Sequence, residues 1–482
     1  VNAILTFLKN FEDPDLKPIR SAKIARQKFI EKTPEIPLIT SEYKGATVIP
    51  RPEHNVSRQQ VSENALKVVY KLKKEGFDAY LVGGCVRDLL LGREPKDFDV
   101  VTNALPEQLA RLFSNCRIIG KRFRLAHIIY GRDIIEVATF RKSGSENPSA
   151  AERSTKEGRI LQDNLYGTID DDVWRRDFTI NALYYNIRDF SIVDYVGGMA
   201  DHKAGLIRLI GDAGERFRED PVRMIRAVRF AVKLGFKLHH DCEQAIHLNA
   251  HLLASIPAAR LHDEVVKLFL TGYGVQTFEM LRHYGLFEVL FPAVEKSLSV
   301  EEGDFPRMMV INALQDCDNR VAENKLSPPY FLFAALLYEP MLQRAKDKIG
   351  KGILESDAYF LAASEILTQQ VRHIALPRHV TLAIREIWNQ QAKFDFRVGA
   401  KPSKLLAHPR FRAAYDFLVL RAQVGAIPME LAEWWATYQS VNETERRKMT
   451  QPQQQPKSAQ PKKKRVYRKK AKPATVLNSE GV

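Results

Sequence analysis

Apolar residues along the first half of the chain switch between two spacings. From Ser62 to Gly76 they fall at Ala65, Leu66, Val68, Val69 and Leu72, the period of a helix, with Ser62 placed to cap its start and Gly76 to end it. Ala79–Val82 is a short apolar run of the length that a buried strand needs. Further strand-like runs recur at Asp97–Val101, Ala126–Tyr130, Ile134–Phe140, Leu183–Ile187 and Ile192–Tyr195, separated by glycine, asparagine and charged turns. This pattern predicts a mixed sheet with helices, ending near Gly198. From Asp220 onward the spacing is helical in Pro221–Lys233, Ala259–Leu270, Val275–Tyr284, Pro329–Leu337, Asp357–Leu376, Leu382–Phe394 and Pro409–Ala422. The second half therefore reads as an all-helical body, and the fold class as α+β.

Length and composition divide this pattern into segments. The 482 residues correspond to about three domains at roughly 150 residues each. Residues 1–48, where helix-forming stretches alternate with Pro34 and Pro37, read as an N-terminal extension. Residues 49–205 form the expected sheet-bearing head, 206–275 a helical neck, 276–445 a helical body and tail, and 446–482 a basic terminal segment. Ser143–Thr168 is polar and longer than an ordinary connection, which predicts a mobile loop. After Met449 the chain turns to glutamine, proline, lysine and arginine, a composition that cannot bury a core and predicts disorder.

Charge sharpens the division. Seventy-three Lys and Arg against 58 Asp and Glu leave +15, which implies a polyanionic partner. Twelve of those cations and one acid, Glu480, lie between Arg446 and Val482, so +11 of the +15 belongs to the last 37 residues. Cys85, Cys116, Cys242 and Cys317 show no CxxC pair or finger spacing, which excludes a disulfide framework and a structural zinc. The longest apolar candidate, Phe331–Leu337, is far short of the roughly 18 to 20 residues of a membrane span. Val1–Leu8 lacks the charged start and cleavage site of a signal peptide. The expected location is cytoplasmic.

Candidate chemistry concentrates between Leu81 and Val101. A strand runs into Gly83-Gly84, where absent side chains let backbone N–H groups approach a ligand, and then into a short helix, an arrangement that suits a phosphate. Arg87 on its first turn can add a charge-assisted contact. Asp97 and Asp99, separated by Phe98, share one face if the segment is a strand. Two carboxylates so close repel without a cation, and Mg²⁺ would neutralise them while activating a hydroxyl nucleophile and holding a triphosphate. A lone Asp-x-Asp is commonly a solvated strand end, but the Gly-Gly-x-x-Arg-Asp before it favours a metal and phosphate site.

Two residues compete to be a third carboxylate. Glu136 lies in the apolar strand Ile134–Phe140, where an inward acid is costly without a cation or partner. It could also face water. Asp177, in Arg175-Arg-Asp-Phe-Thr-Ile-Asn181, could ligate metal or pair with an arginine and brace the site. Further on, Asp220 and Pro221 suit the cap and first position of a helix, with Arg223 and Arg226 following at intervals of three. That row of acceptor and donors can read the edge of a base. Arg229 is its outlying member.

These blocks, in this order, resemble the class II nucleotidyltransferases, the group that contains CCA-adding tRNA nucleotidyltransferases and bacterial poly(A) polymerases. The resemblance covers roughly residues 48–422 and rests on Gly83-Gly84 with Arg87-Asp88, Asp97-x-Asp99, Arg176-Asp177-Phe-Thr-Ile-Asn181 and Glu219-Asp220-x-x-Arg223. It implies a small nucleotidyltransferase head followed by helical neck, body and tail, with Asp97 and Asp99 binding two Mg²⁺ ions. It places Arg176 and Asp177 near the ribose 2′-hydroxyl and Asp220 with Arg223 at the incoming base. Gly83, Gly84, Arg87, Asp88, Asn181 and Arg226 complete the expected nucleotide-binding set. Ile118–His127, Pro257–Phe269, His408-Pro-Arg-Phe-Arg-Ala-Ala-Tyr-Asp416 and the basic C-terminus are similar to the bacterial poly(A) polymerase branch. The extension before Val48 and Cys85 depart from the group's pattern.

The resulting expectation is template-independent transfer of AMP from ATP to RNA 3′ ends of mRNA and other transcripts, serving RNA processing or decay, with RNA-decay proteins as further partners. CCA addition to tRNA is the alternative with the same chemistry. A non-catalytic RNA-binding protein is the alternative of another class, and it predicts loss of a metal carboxylate that this chain retains. Pro461-Lys-Lys-Lys-Arg-Val466 also fits a nuclear import signal, a reading set aside as basic composition in a chain of bacterial character.

Overall fold

The computed structural model describes residues 43–120, 124–142, 165–299 and 305–451. Most of the extension, most of the loop expected at Ser143–Thr168 and nearly all of the basic terminus lie outside these residues. The elements below belong to one compact unit that starts at Gly45.

The head builds up as β1 (Thr47–Ile49), α1 (Glu63–Lys74), β2 (Ala79–Val82), α2 (Gly84–Leu90), β3 (Asp99–Thr102) and α3 (Pro106–Leu112). It continues through β4 (Cys116–Ile119), β5 (Leu125–Tyr130), β6 (Asp133–Thr139), α4 (Ile169–Trp174), β7 (Leu183–Tyr185), β8 (Ile192–Asp194) and α5 (Gly198–Ala204). Ser62 caps α1 as its position predicts, its hydroxyl accepting from the Ala65 N–H at 3.1 Å. The strands form an eight-stranded sheet in the order β1-β8-β7-β2-β3-β6-β5-β4. Within it β3 and β6 run parallel and all other neighbours antiparallel. Val68, Val69 and Leu72 of α1 are buried with Leu81, Val100, Ile135 and Val137 of the central strands in one core.

Three expectations for the head change. The strand begins at Asp99, and Asp97 sits in the bend before it. Strands β1 and β4 were not legible, because each is three or four residues long, and β4 alternates half-buried and exposed positions at the sheet edge, leaving Ile119 47% exposed.

The neck contains β9 (Leu206–Ile207), α6 (Ala213–Glu219), α7 (Val222–Leu234), β10 (Lys237–Leu238), α8 (His240–Asn249) and α9 (Ala258–Phe269). The body follows as α10 (Gly274–His283), α11 (Leu286–Leu290), α12 (Pro292–Leu298), α13 (Phe305–Ala322), α14 (Pro329–Leu336) and α15 (Tyr338–Gly350). Then come α16 (Glu355–His373), α17 (Arg378–Gln391), α18 (Lys401–Leu406), α19 (Phe411–Gln423), α20 (Met429–Ser440) and α21 (Glu443–Met449). The periodic segments found their helices. Helices α6, α8, α11, α12, α13, α15, α18, α20 and α21 lie outside the segments read as helical, and α15 carries Pro340 in its first turn, where a missing N–H costs nothing. Helix α21 also extends the folded body past residue 445, so Arg446, Arg447 and Lys448 belong to a helix and not to the terminal segment. Phe178 and Ile180 leave the head to join the helical core of neck and body. A separate aromatic core gathers Phe394, Phe411, Trp435 and Tyr438. Among the described residues no helix is long and apolar enough to cross a membrane.

Candidate active site

The turn after β2 determines what can approach its end. Gly83 has φ +78° and ψ −133°, a conformation closed to side chains with a Cβ. A Cβ there would point at Asp99 Oδ2, 3.8 Å away, and Arg176 Nη1, 3.9 Å away. The missing side chain thus leaves room between an acid and a cation.

Asp99 opens β3 directly opposite Glu136 of β6 in the parallel register. Burial, then the charges of Glu136 and Asp97, push the Asp99 carboxyl up to about 6 despite the nearby Arg176. Asp97 is exposed at the bend. Glu136 also faces His127 of β5, Nε2 to Oε1 3.5 Å. Mutual repulsion of this kind is what a divalent cation relieves. Among the described residues no three His, Cys, Asp or Glu side chains close around one point as a full ligand set.

Behind the carboxylates lies a bracing network. Arg176 donates through Nε to Asp172 Oδ2 at 3.0 Å and to the Tyr184 hydroxyl at 2.8 Å, with its guanidinium against the Tyr184 ring. Asp172 is 1% exposed and also receives the Tyr184 hydroxyl. Asp177 Oδ2 accepts twice from Arg226, Nε at 3.0 Å and Nη2 at 2.5 Å, while Oδ1 accepts the Phe178 N–H and the Asn181 amide. Burial works against this carboxylate's charge, but the Arg226 guanidinium, the Asn181 amide and the Phe178 N–H together outweigh it and hold Asp177 down to about 2.

Arg87 is placed differently from its expected role on a phosphate. It is 3% exposed, donates Nε and Nη2 to Asp88 Oδ1 at 2.8 and 2.6 Å and Nη1 to Asn181 Oδ1 at 2.7 Å, and stacks on Phe230. Asp88 and Asn181 are accordingly partners of Arg87 within the wall of the site.

The row of Asp220, Arg223 and Arg226, expected from the sequence to read a base, lies at the start of α7. Asp220 follows α6 and its Oδ1 accepts the Val222 N–H at 3.3 Å, but the helix starts one residue later than the spacing suggested, with Pro221 and not Asp220 at its N-cap. Its Oδ2 accepts from Arg260 Nη2 at 2.6 Å. Arg223 donates Nη1 to the Arg216 carbonyl at 2.8 Å and to Glu219 Oε2 at 2.9 Å, and Arg216 in turn donates Nη2 to the Arg176 carbonyl at 2.6 Å. Arg226 belongs with Asp177, one turn away from this pair. Arg229 stacks on Phe230, and its buried Nε has no hydrogen-bond partner.

The structure thus brings Gly83, Asp97, Asp99, Glu136 and Arg176 to one end of the central strands, with Asp177, Asn181, Arg87 and Asp88 bracing them. Asp172, Tyr184, Arg216 and Arg260 were missed. Only the flanking of Asp172 by Arg175 and Arg176 at three and four residues hinted at its pairing. Arg260 lies 40 residues from Asp220, beyond the reach of local spacing.

Three family models match the chain, described as Poly A polymerase head domain over residues 79–208, Probable RNA and SrmB-binding site of polymerase A over 235–298, and Polymerase A arginine-rich C-terminus over 351–471. A Poly(A) polymerase I from Escherichia coli is 49% identical over 402 residues, 82% of this chain and 86% of its own length. One from Haemophilus influenzae is 47% identical over 438 residues, 90% of this chain and 96% of its own. Among solved structures, a Bacillus stearothermophilus CCA-adding enzyme in complex with CTP aligns with a TM-score of 0.52 at 28% identity, covering 77% of this chain and 80% of its own.

Proposed function

The chain belongs to the poly(A) polymerase family and is a polynucleotide adenylyltransferase, and from that premise we propose how its residues add AMP from ATP to RNA 3′ ends without a template. The observation that carries the reading is the crowding of Asp97, Asp99 and Glu136 where β3 meets β6. Asp97 and Asp99 would hold two Mg²⁺ ions. When bound, such ions lower the pKa of the RNA 3′-hydroxyl and neutralise the triphosphate. Glu136 serves as the third carboxylate, because both oxygens of Asp177 are already taken by Arg226, Asn181 and the Phe178 N–H.

The remaining residues position the substrates. Gly83 and Gly84 admit the triphosphate beside Asp99, and Arg176 stands next to the ribose with its guanidinium fixed by Asp172. Asp220 and Arg223 read the base edge, and Arg226 orients the strand-to-neck connection through Asp177. Arg87, Asp88 and Asn181 are positioning residues that act through the wall they form. The RNA 3′ oxygen bonds to the α-phosphorus as the bond to the β-phosphate bridge breaks, and pyrophosphate leaves. The chain binds RNA; the polyadenylated mRNAs and other transcripts then enter RNA processing or decay in the cytoplasm, with RNA-decay proteins as partners.

The test supplies purified protein with a generic RNA and with tRNA lacking its 3′ end, each NTP separately. Runs of AMP on generic RNA are expected. CMP incorporation that ends after one AMP would overturn the reading in favour of CCA addition. Asp99→Ala should abolish addition while RNA binding persists, and robust activity in that variant would remove the metal-site assignment.

A further inference from the structure

Helices α13, α14 and α19 wall a cavity of about 660 Å³ that shares no residue with the candidate active site. Its size suits a nucleotide or similarly small ligand. Its flat surfaces are two tyrosines, each paired with a guanidinium. Arg410 lies 4.9 Å from the centre of the Tyr330 ring, and Arg412 5.9 Å from that of Tyr415. The same cavity is lined by Asp316 and Asp416. Arg412 engages Asp416 at 3.0 Å. Asp316, half-buried on α13, accepts no hydrogen bond and joins no ion pair among the described residues. Burial and the charge of Asp416 push its carboxyl up.

Arg410 likewise engages Glu386 through Nε at 3.3 Å, so each arginine already holds one carboxylate and a ligand anion would share its guanidinium. A ligand suited to this cavity offers a planar face to the tyrosines, a hydrogen-bond donor to Asp316 and an anion to the arginines. A nucleotide whose base carries an exocyclic amino group supplies all three: stacking on aromatic rings tolerates any base, and an amino group donates readily to a carboxylate. The one base donor of uracil, N3–H, lies between two carbonyl oxygens that a carboxylate repels. Arginines and acids are balanced around the cavity, which suits one nucleotide unit better than a run of phosphates. The block His408-Pro-Arg-Phe-Arg-Ala-Ala-Tyr-Asp416 supplies six of the lining residues, and the chemistry at Asp99 makes no use of it.

We propose that this cavity is a second nucleotide site, on the helical body, that takes one adenylate unit with its base on Tyr330 and Tyr415, its amino group donating to Asp316 and its phosphate on Arg410 or Arg412. Free AMP and an adenylate within RNA share this chemistry.

The test irradiates the full chain with 8-azido-AMP and maps the labelled peptides by mass spectrometry, with AMP, a twelve-residue oligo(A) and the matching oligo(U) as competitors. Labelling at Tyr330 or Tyr415 that AMP or oligo(A) suppresses and oligo(U) does not is expected. Suppression by AMP alone identifies a free nucleotide as the ligand, and stronger suppression by oligo(A) identifies adenylate in RNA. Asp316→Ala should cut the labelling about tenfold, the worth of one hydrogen bond to a charged group, and leave AMP incorporation on a short primer unchanged. Arg412→Ala, at a side chain 77% exposed, repeats the test without risk to the fold. No label at either tyrosine, or equal suppression by oligo(U), overturns the proposal.

Discussion

Asp99 and Glu136 face each other across the parallel pair of strands β3 and β6, and the charge of Glu136 adds to burial in raising the cost of ionising Asp99. A divalent cation between the two carboxylates would offset that cost. Glu136→Gln should therefore raise the Mg²⁺ concentration needed for half-maximal AMP incorporation by roughly 10- to 100-fold, the range for residues that support a metal site. An unchanged Mg²⁺ dependence would return the third-carboxylate role to Asp177.

Asp177 and Arg226 make the opposite kind of pair. The folded-state carboxyl is held at about 2, below its ordinary 3.8, so its stabilisation is complete above about pH 4 and is lost as pH falls toward 2. Arg226→Ala strands a buried carboxylate and should cost about 3 kcal/mol in urea unfolding at pH 7, the lower end for a broken buried pair because Arg226 is 30% exposed. The cost should shrink at pH 3. The same cost at both pH values would contradict the assignment.

Arg260 holds one oxygen of Asp220, which ties it to base selection under the proposed role of Asp220. Arg260→Ala releases one carboxylate oxygen and should lower kcat/KM for ATP about tenfold, the worth of one charge-assisted hydrogen bond, while CMP incorporation rises. Steady-state kinetics with ATP and CTP checks both; a proportional loss for the two nucleotides would make Arg260 merely structural.

What was legible in the sequence followed local spacing. The helices of α1, α7, α9 and α17 and the strands β2, β5 and β6 repeat apolar residues at their own period, and the Gly83-Gly84 turn with Asp97 and Asp99 lies within 17 residues. The choice between Glu136 and Asp177 was not legible, because it depends on a register between strands 37 residues apart and on an arginine 49 residues downstream. The contacts of Arg87 were hidden for a related reason. A cation beside a glycine turn reads locally as a phosphate ligand, and its partners Asn181 and the Phe230 ring lie far along the chain.

The basic terminus gives a prediction from charge alone. If about six of its cations neutralise phosphates, the logarithm of RNA affinity should fall with log salt at a slope of roughly −4, from about 0.7 per phosphate on single strands. Deleting Gln451–Val482 should flatten that slope and spare the chemistry on short primers. A slope that survives the deletion would assign RNA binding to the helical body.

The parallel pairing of β3 with β6 also constrains when the enzyme can first work. Parallel neighbours cannot be joined by a tight hairpin, and here the path between them runs through α3, β4 and β5. A chain emerging from the ribosome therefore has no paired carboxylates until β6 has been made and inserted between β3 and β5. Asp177 must wait longer still, for Arg226 on α7. A chain that stops after β3 carries Gly83, Gly84, Asp97 and Asp99 but has no Glu136 opposite Asp99 and neither Asp177 nor the Arg226 that holds it.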